Sequence, residues 1–329
     1  MAELHVGAVV EWRRLSPILA TFRLMPASGS RFPDYEAGQY IALRREDCRL
    51  TKRIAGERIL PHYVTDLDES GKAKRGPVTH SYSIASAPFE TREKGYLEFY
   101  VVLERDERGE PGRLTESLFQ IHPASDGAVT YVNRIVGDFT LPKRAHGFRS
   151  VLCVGTGTGL APFLSMIKQL HFNASQGGTT DGVQYTLLHT NRTREELAYH
   201  EELVEIEAAH RLDFVYIASV SRPNARDLQD PGIGRGRANN LLRSVLGMPS
   251  REQQDLDEAA VGGTDLAQWR VALEKATAPA LPRHISSIEL GQRLEPGRTV
   301  VLTCGNPALM ADIKFVADSR HIHFEKEDW

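Results

Sequence analysis

Cysteine is scarce in this chain, and the three present, Cys48, Cys153 and Cys304, are too widely separated to form a C-x-x-C pair. That spacing argues against a disulfide framework, and a cluster with four cysteine ligands needs one thiolate more than the chain has. Long apolar runs are missing too: no stretch approaches the roughly 18 to 20 apolar residues that span a bilayer. One-sided charge is also absent, with 40 Lys and Arg against 43 Asp and Glu. A net charge of -3 sets up no global field for nucleic acid or an anionic membrane. The opening residues Met1-Ala2-Glu3-Leu4-His5 soon meet Glu11, Arg13 and Arg14, without the basic-then-apolar order of a secretory leader. The expectation is a cytoplasmic protein, a monomer or weak dimer, that engages neither nucleic acid nor membrane.

At 329 residues the chain is long enough for two domains with separate cores. The first half reads as short strands, at Val6–Trp12, Leu19–Leu24, Tyr40–Leu43, Ser81–Ile84 and Leu97–Leu103, with one helix at Thr115–Ile121. Short strands punctuated by Gly and Pro predict a small antiparallel β-barrel. The second half alternates strands (Val151–Val154, Tyr185–Thr190, Phe214–Val220, Val300–Cys304) with helices (Ala161–Phe172, Arg194–Ala209, Ala238–Leu246). That alternation predicts a doubly wound α/β parallel sheet. The domains are expected at 1–145 and 146–329, divided near the aperiodic run Lys143-Arg144-Ala145-His146-Gly147. Two polar stretches, about 44–78 and 247–296, read as insertions, either lids or flexible decoration.

The run Val151-Leu152-Cys153-Val154-Gly155-Thr156-Gly157-Thr158-Gly159-Leu160-Ala161 is strand, glycine loop and helix start in succession. Such a loop lets a polyphosphate approach backbone amides and the positive end of a helix dipole. Its G-x-G-x-G spacing departs from the G-x-G-x-x-G fingerprint. Ordered around it are His80-Ser81-Tyr82-Ser83, Tyr100-Val101-Val102, Pro111-Gly112-Arg113-Leu114-Thr115 and Cys304-Gly305-Asn306-Pro307. Taken in order, these motifs resemble the ferredoxin–NADP reductase family, most closely its bacterial branch, over nearly the whole chain outside the two insertions.

The resemblance implies FAD in the first domain and NADP(H) in the second. Residue chemistry alone does not separate FAD from FMN; the length of the first domain and the terminal aromatic favour FAD by resemblance. In the family an R-x-Y-S motif holds flavin, so Tyr82 and Ser83 carry over, with Ser81 between His80 and Tyr82 and Tyr100, Val101 and Val102 on the strand that follows in sequence. This chain departs from the family at His80, where the family has Arg. Histidine titrates near about 6.5 and is a weaker phosphate anchor than a permanently charged, forked guanidinium. Arg113, with Gly112, Leu114 and Thr115 at a helix start, is the candidate replacement for the pyrophosphate.

For NADP(H), the resemblance implies Gly155, Thr156, Gly157, Thr158 and Gly159 at the pyrophosphate. Ser221, Arg222 and Arg237 fall at the 2′-phosphate, with Asn191 and Arg192 nearby. Cys304, Gly305, Asn306 and Pro307 fall beside the nicotinamide, where Cys304 aligns hydride transfer without acting as a nucleophile. Relatives end in an aromatic that stacks on flavin, a few residues after a carboxylate. Trp329 fits the first, while Glu325 and Glu327 both fit the second, because strand alternation puts them on one face. Ser83 and one of these carboxylates are the candidate catalytic residues, together with Cys304 and Trp329. His321 and His323 are placed on one terminal strand, but without a third ligand they predict no metal site.

The implied activity is hydride transfer from NADPH to flavin, then single-electron release to ferredoxin or flavodoxin. Any iron–sulfur centre would belong to the carrier. Arg44, Arg45, Arg49, Lys52, Arg53 and Arg58 in the first insertion either dock an acidic carrier or form a mixed-charge loop with Glu46, Asp47 and Glu57. Two alternatives stay open: an NADH-dependent reductase component of an oxygenase, and a flavin-bearing electron-transfer subunit of a larger complex.

Overall fold

The computed structural model describes residues 3–27, 29–54, 62–106, 108–124, 126–179 and 182–327. The chain divides into two compact units, Met1–Gly137 and Asp138–Trp329.

Apolar residues at alternate positions build the strands of the first unit, in which every sheet pairing is antiparallel. Its elements are β1 (Leu4–Arg14), β2 (Leu19–Pro26), β3 (Tyr40–Arg49), β4 (Thr51–Ile54), β5 (His62–Thr65), β6 (Arg75–Ser83), α1 (Pro88–Lys94), β7 (Leu97–Val102), α2 (Arg113–Phe119) and β8 (Ala128–Val136). Six strands form one sheet in the order β6-β3-β8-β1-β2-β7, and β4 and β5 pair separately. The Ala85 amide donates to the Glu98 carbonyl at 2.8 Å, tying the end of edge strand β6 to edge strand β7. The sheet therefore curls into the expected barrel, around a core where Phe22 stacks on both Trp12 and Phe99. β8 escaped sequence reading because Asn133-Arg134 interrupts its apolar alternation.

The second unit holds α3 (Leu141–Arg144), β9 (Ser150–Thr156), α4 (Ala161–Ser175), β10 (Gln184–Asn191), α5 (His200–Ala208), β11 (Asp213–Val220), β12 (Gly234–Arg235) and α6 (Ala238–Val245). After these come α7 (Arg251–Val261), α8 (Ala267–Lys275), α9 (Ser287–Gln292), β13 (Thr299–Cys304), α10 (Pro307–Ser319) and β14 (His323–Lys326). The sheet order is β12-β11-β10-β9-β13-β14, with every pairing parallel. The chain winds outward from β9 through β12, then restarts on the other side of β9 with β13. That reversal creates a switch point at the carboxyl ends of β9 and β13, where an open α/β sheet leaves a crevice. β9 and β13 are buried along almost their full length, the pattern of strands covered on both faces.

Three sequence expectations need correction. Arg194–Ala209 is not one helix: Arg194–Glu196 is a single 3-10 turn, and Tyr199 at φ 60° separates it from α5. The Asn191 amide donates to the Glu196 carbonyl at 2.7 Å and holds the turn there. His321 does not share a strand with His323, because it sits in a turn at φ 55° before β14. Residues 247–296 are not loose decoration either, since they carry three helices and bury Ile285, Leu290 and Leu294 in the core. The start of this segment is pinned by Arg243, which is fully buried, donates to Asp312 of α10 and donates at 2.8 Å to Gln254 of α7.

Beneath β10 and β11, the ring nitrogens of His189 and His200 lie 3.2 and 3.3 Å from the Tyr216 hydroxyl. Burial, reinforced by His200, pushes His189 down to about 3. The unfolded chain takes up this proton near about 6.5, so it binds more protons than the native state between the two values. Stability should thus fall as pH drops through that window, at up to about 1.4 kcal/mol per pH unit. Denaturant unfolding at pH 6.5, 5.5 and 4.5 should show this slope in the wild type and a shallower one in His189→Phe.

Candidate functional site

In the first unit, β6 sets the flavin-motif residues along a sheet edge. His80, Ser81, Tyr82 and Ser83 pair with Leu43, Ala42, Ile41 and Tyr40 of β3. Ser81 is exposed, Tyr82 packs against the core, and Ser83 is buried at the strand end. At the opposite edge, Tyr100, Val101 and Val102 pair with Thr21, Ala20 and Leu19 of β2. Partial desolvation and the nearby Arg113 cation hold His80 below the ordinary histidine value, against a smaller opposing pull from Glu104. That shift favours the uncharged imidazole, so the permanent cation at this place is Arg113. Gly112 precedes it and leads into α2; its amide donates to the Glu104 carbonyl at 2.9 Å, and the Thr115 hydroxyl donates to the Gly112 carbonyl at 3.1 Å. Leu114 and Thr115 are buried.

The arginines of the first insertion hold this corner together instead of forming a basic face. Arg45 is buried against Ser117 and Asp126, and Arg49 reaches Glu116 at 3.0 Å and the Pro111 carbonyl at 2.7 Å. Arg44 pairs with Glu46, and Lys52 lies 3.7 Å from Asp66. Arg53 is exposed, while Arg58 lies outside the described residues.

In the second unit the glycine loop and the Cys304 motif, 149 positions apart from Gly155 to Cys304, meet at the switch point, where those two residues are register partners. A Cβ on Gly159 would collide with the Cys304 carbonyl and stand 2.6 Å from the Gly305 nitrogen. Gly305, at φ 128°, would in turn meet the Thr156 carbonyl oxygen at 2.6 Å. The Asn306 amide donates to the Thr156 hydroxyl at 3.1 Å, and the Asn306 side chain caps α10 ahead of Pro307. Gly157, at φ 56°, faces open space, and Thr158 beside it is half-buried. The two loops form a backbone-lined cradle that only glycine permits at these positions. A polyphosphate fits its chemistry.

Cys304 is fully buried, and its thiol donates to Glu327 at 2.8 Å. The Glu327 amide donates to the Thr303 carbonyl at 3.0 Å, which fixes the carboxylate there. Glu325 goes elsewhere, to Arg144 at 2.8 Å and His323 at 3.1 Å. The structure therefore sets Glu327, and not Glu325, against Cys304. Trp329 lies outside the described residues. Among the described residues no cluster of three metal-ligating side chains occurs.

Beside the cradle, chain segments run past the strand ends in parallel. The Ser221 amide donates to the Asn191 carbonyl and the Arg222 amide to the Arg192 carbonyl, at 2.9 and 2.8 Å. Arg192, Arg222, Arg235 and Arg237 all emerge exposed at the carboxyl ends of β10, β11 and β12. Among the described residues, Arg192, Arg222 and Arg235 have no carboxylate partner, which leaves their charge available to an anion. Sequence reading missed Arg235, although the Gly234-Arg235-Gly236-Arg237 repeat was a visible signal. It could not have found Thr277, whose hydroxyl donates to the Ser221 carbonyl at 2.8 Å from far along the chain.

An antiparallel curled sheet followed by a parallel α/β unit with a glycine-lined cradle is what this fold and site define. Residues 153–241 match the oxidoreductase NAD-binding domain family. The chain is 35% identical over 173 residues to methane monooxygenase component C of Methylosinus trichosporium, covering 52% of this chain but only 44% of that protein. It is 27% identical over 203 residues to a ferredoxin–NADP reductase of Pseudomonas aeruginosa, covering 57% of this chain and 67% of the relative. A ferredoxin–NADP reductase from Neisseria gonorrhoeae, solved with FAD and NADP, has the same fold over 99% of both chains, at a TM-score of 0.59 and 19% identity. The chain spans less than half the length of two of the curated relatives it matches, and it is similar to ferredoxin–NADP reductases in sequence and fold. Among the described residues no helix is long and apolar enough to cross a membrane.

Burial first, then Glu327, holds the Cys304 thiol well above its ordinary value. Glu327→Gln should shift the pH profile of Cys304 alkylation by iodoacetamide to lower pH, while burial keeps the reaction slow. Mass spectrometry of the Cys304 peptide reads this directly; an unmoved profile would mean that the carboxylate does not act on the thiol.

Proposed function

We propose that the chain is an NADPH-dependent flavoprotein reductase, binding FAD in the first unit and NADP(H) in the second, and passing electrons singly to ferredoxin or flavodoxin. The observation that carries this reading is the cradle of Gly155–Gly159 against Cys304-Gly305-Asn306-Pro307, flanked by Arg192, Arg222 and Arg235, which have no carboxylate partner among the described residues. Bound flavin supplies the chemistry: it takes a hydride from the nicotinamide and returns electrons one at a time. The chain's own residues bind, orient and exclude water. Arg113 holds the flavin pyrophosphate in place of the family's arginine, Tyr82 packs against the cofactor, and Ser83 hydrogen-bonds near its reactive nitrogen. Gly155, Thr156, Gly157, Thr158 and Gly159 bring backbone amides to the nicotinamide cofactor's pyrophosphate. Ser221 and Arg222, with Arg192 and Arg237, receive the 2′-phosphate. Cys304 presents a small neutral wall to the nicotinamide, and Glu327 behind it is the carboxylate that holds or relays a proton. Trp329 takes the stacking role by resemblance.

The second reading keeps the chemistry and changes the partner: a reductase component that serves an oxygenase. It is favoured by the 35% identity to methane monooxygenase component C.

Arg113→Ala should weaken FAD binding to the apoprotein by about tenfold or more, as expected for a charge-assisted phosphate contact, whereas His80→Ala should change it little. Flavin fluorescence titration distinguishes the two, and equal affinity in Arg113→Ala removes the pyrophosphate assignment. Arg222→Ala should lower kcat/KM for NADPH by roughly 10- to 100-fold and leave NADH within about twofold. Anaerobic stopped-flow flavin reduction measures both, and a wild type that prefers NADH selects the oxygenase reading.

A further inference from the structure

Among the four arginines at the ends of β10, β11 and β12, Arg237 differs from the others. Its guanidinium lies 3.5 Å from Glu252 Oε1, and Glu252 belongs to α7 of the second insertion. The Arg237 side chain is 60% exposed, but that of Glu252 is only 11% exposed. This carboxylate is built in. The Asn240 amide donates to its other oxygen at 2.7 Å, and the Asn240 carbonyl oxygen accepts from the Arg251 amide at 2.8 Å. The Ser250 side chain caps the same helix, and Arg243 fastens it through Gln254.

A later stretch of the insertion, residues 277–280 after α8, returns to the same place. Ala280 and Arg235 exchange backbone hydrogen bonds at 2.7 and 2.9 Å, Thr277 reaches Ser221, and Pro279 packs on Gly236. Two stretches of the insertion thus land on the arginine cluster, and the first of them brings a fixed negative charge.

We propose that Glu252 is a specificity-setting residue, which engages Arg237 in competition with the 2′-phosphate of NADP(H) and so lowers the preference for the phosphorylated cofactor. This rests on the reading of the cluster as the 2′-phosphate site. Because Arg237 is exposed, the pair is weak enough for a phosphate dianion to displace the carboxylate. The consequence is a several-fold adjustment of affinity and not an exclusion. Glu252 is held by Asn240 before any ligand arrives, so no side-chain ordering has to accompany the competition.

The test is isothermal titration of the full chain with 2′,5′-ADP and with 5′-AMP, which needs neither flavin nor turnover. Glu252→Gln keeps an acceptor for Asn240 and removes the charge. It should tighten 2′,5′-ADP by about fivefold, the scale of one exposed ion pair, and leave 5′-AMP within twofold. In an Arg237→Ala background the same substitution should gain less than about twofold, since the competition runs through Arg237. A preference for 2′,5′-ADP that Arg222→Ala abolishes, together with an unchanged or weaker Glu252→Gln, overturns the proposal alone. Equal binding of the two ligands by wild type, Arg222→Ala and Glu252→Gln overturns the proposal together with the reading of the site.

Discussion

The second unit depends on one close approach. The loop after β9 touches the loop after β13 backbone to backbone, with Gly159 against Cys304 and Gly305 against Thr156. No side chain larger than hydrogen fits at either glycine, so their identity follows from steric exclusion and not from flexibility. The contact fixes where α4 and α10 begin, since both follow these loops directly and α10 is capped by Asn306. It also brings the buried Cys304 thiol into register with Gly155, with Glu327 behind it on the segment after β14. Parallel pairing of β13 with both β9 and β14 lets one contact order three strand ends.

Charge is distributed differently in the two units, and burial decides what each charge does. In the first unit Arg45 and Arg49 are used up internally, holding α2 and the segment before it with Ser117, Glu116, Asp126 and the Pro111 carbonyl. A row of basic residues in the sequence therefore becomes scaffolding for the corner that carries Arg113. In the second unit the arginines beyond the strand ends stay exposed, while the buried Arg243 does the structural work with Asp312. A buried guanidinium without its carboxylate is strongly unfavourable. That constraint locks α6 to α10 and gives α7 a firm seat.

Much of this was legible along the chain. Runs such as Val151–Val154 and Val300–Cys304 announce buried parallel strands, and the glycine loop followed by Ala161 announces the strand-to-helix turn that a phosphate can approach. Alternating apolar residues before Pro142 announce the curled antiparallel sheet. The misses have local causes. β8 carries Asn133-Arg134 in its middle, Tyr199 takes a left-handed turn that helix propensity does not show, and the second insertion is polar on its outside although Leu290 and Leu294 are core residues.

What the sequence determined by itself is whatever short-range periodicity and glycine sterics encode: the two halves, their strand types and the motif that makes a glycine-lined cradle. The tertiary structure alone decided which of two carboxylates stands against Cys304. Glu325 and Glu327 share a period-two face, so only the positions of Arg144 and Cys304 separate them. It alone decided that His80 is pushed toward its neutral form beside Arg113, because desolvation and a neighbouring cation act through space. It also brought Glu252 of the second insertion to Arg237, and Thr277 of the same insertion to Ser221. Pairings between distant residues leave no trace in local pattern, since they are set by how the elements pack and not by the residues on either side.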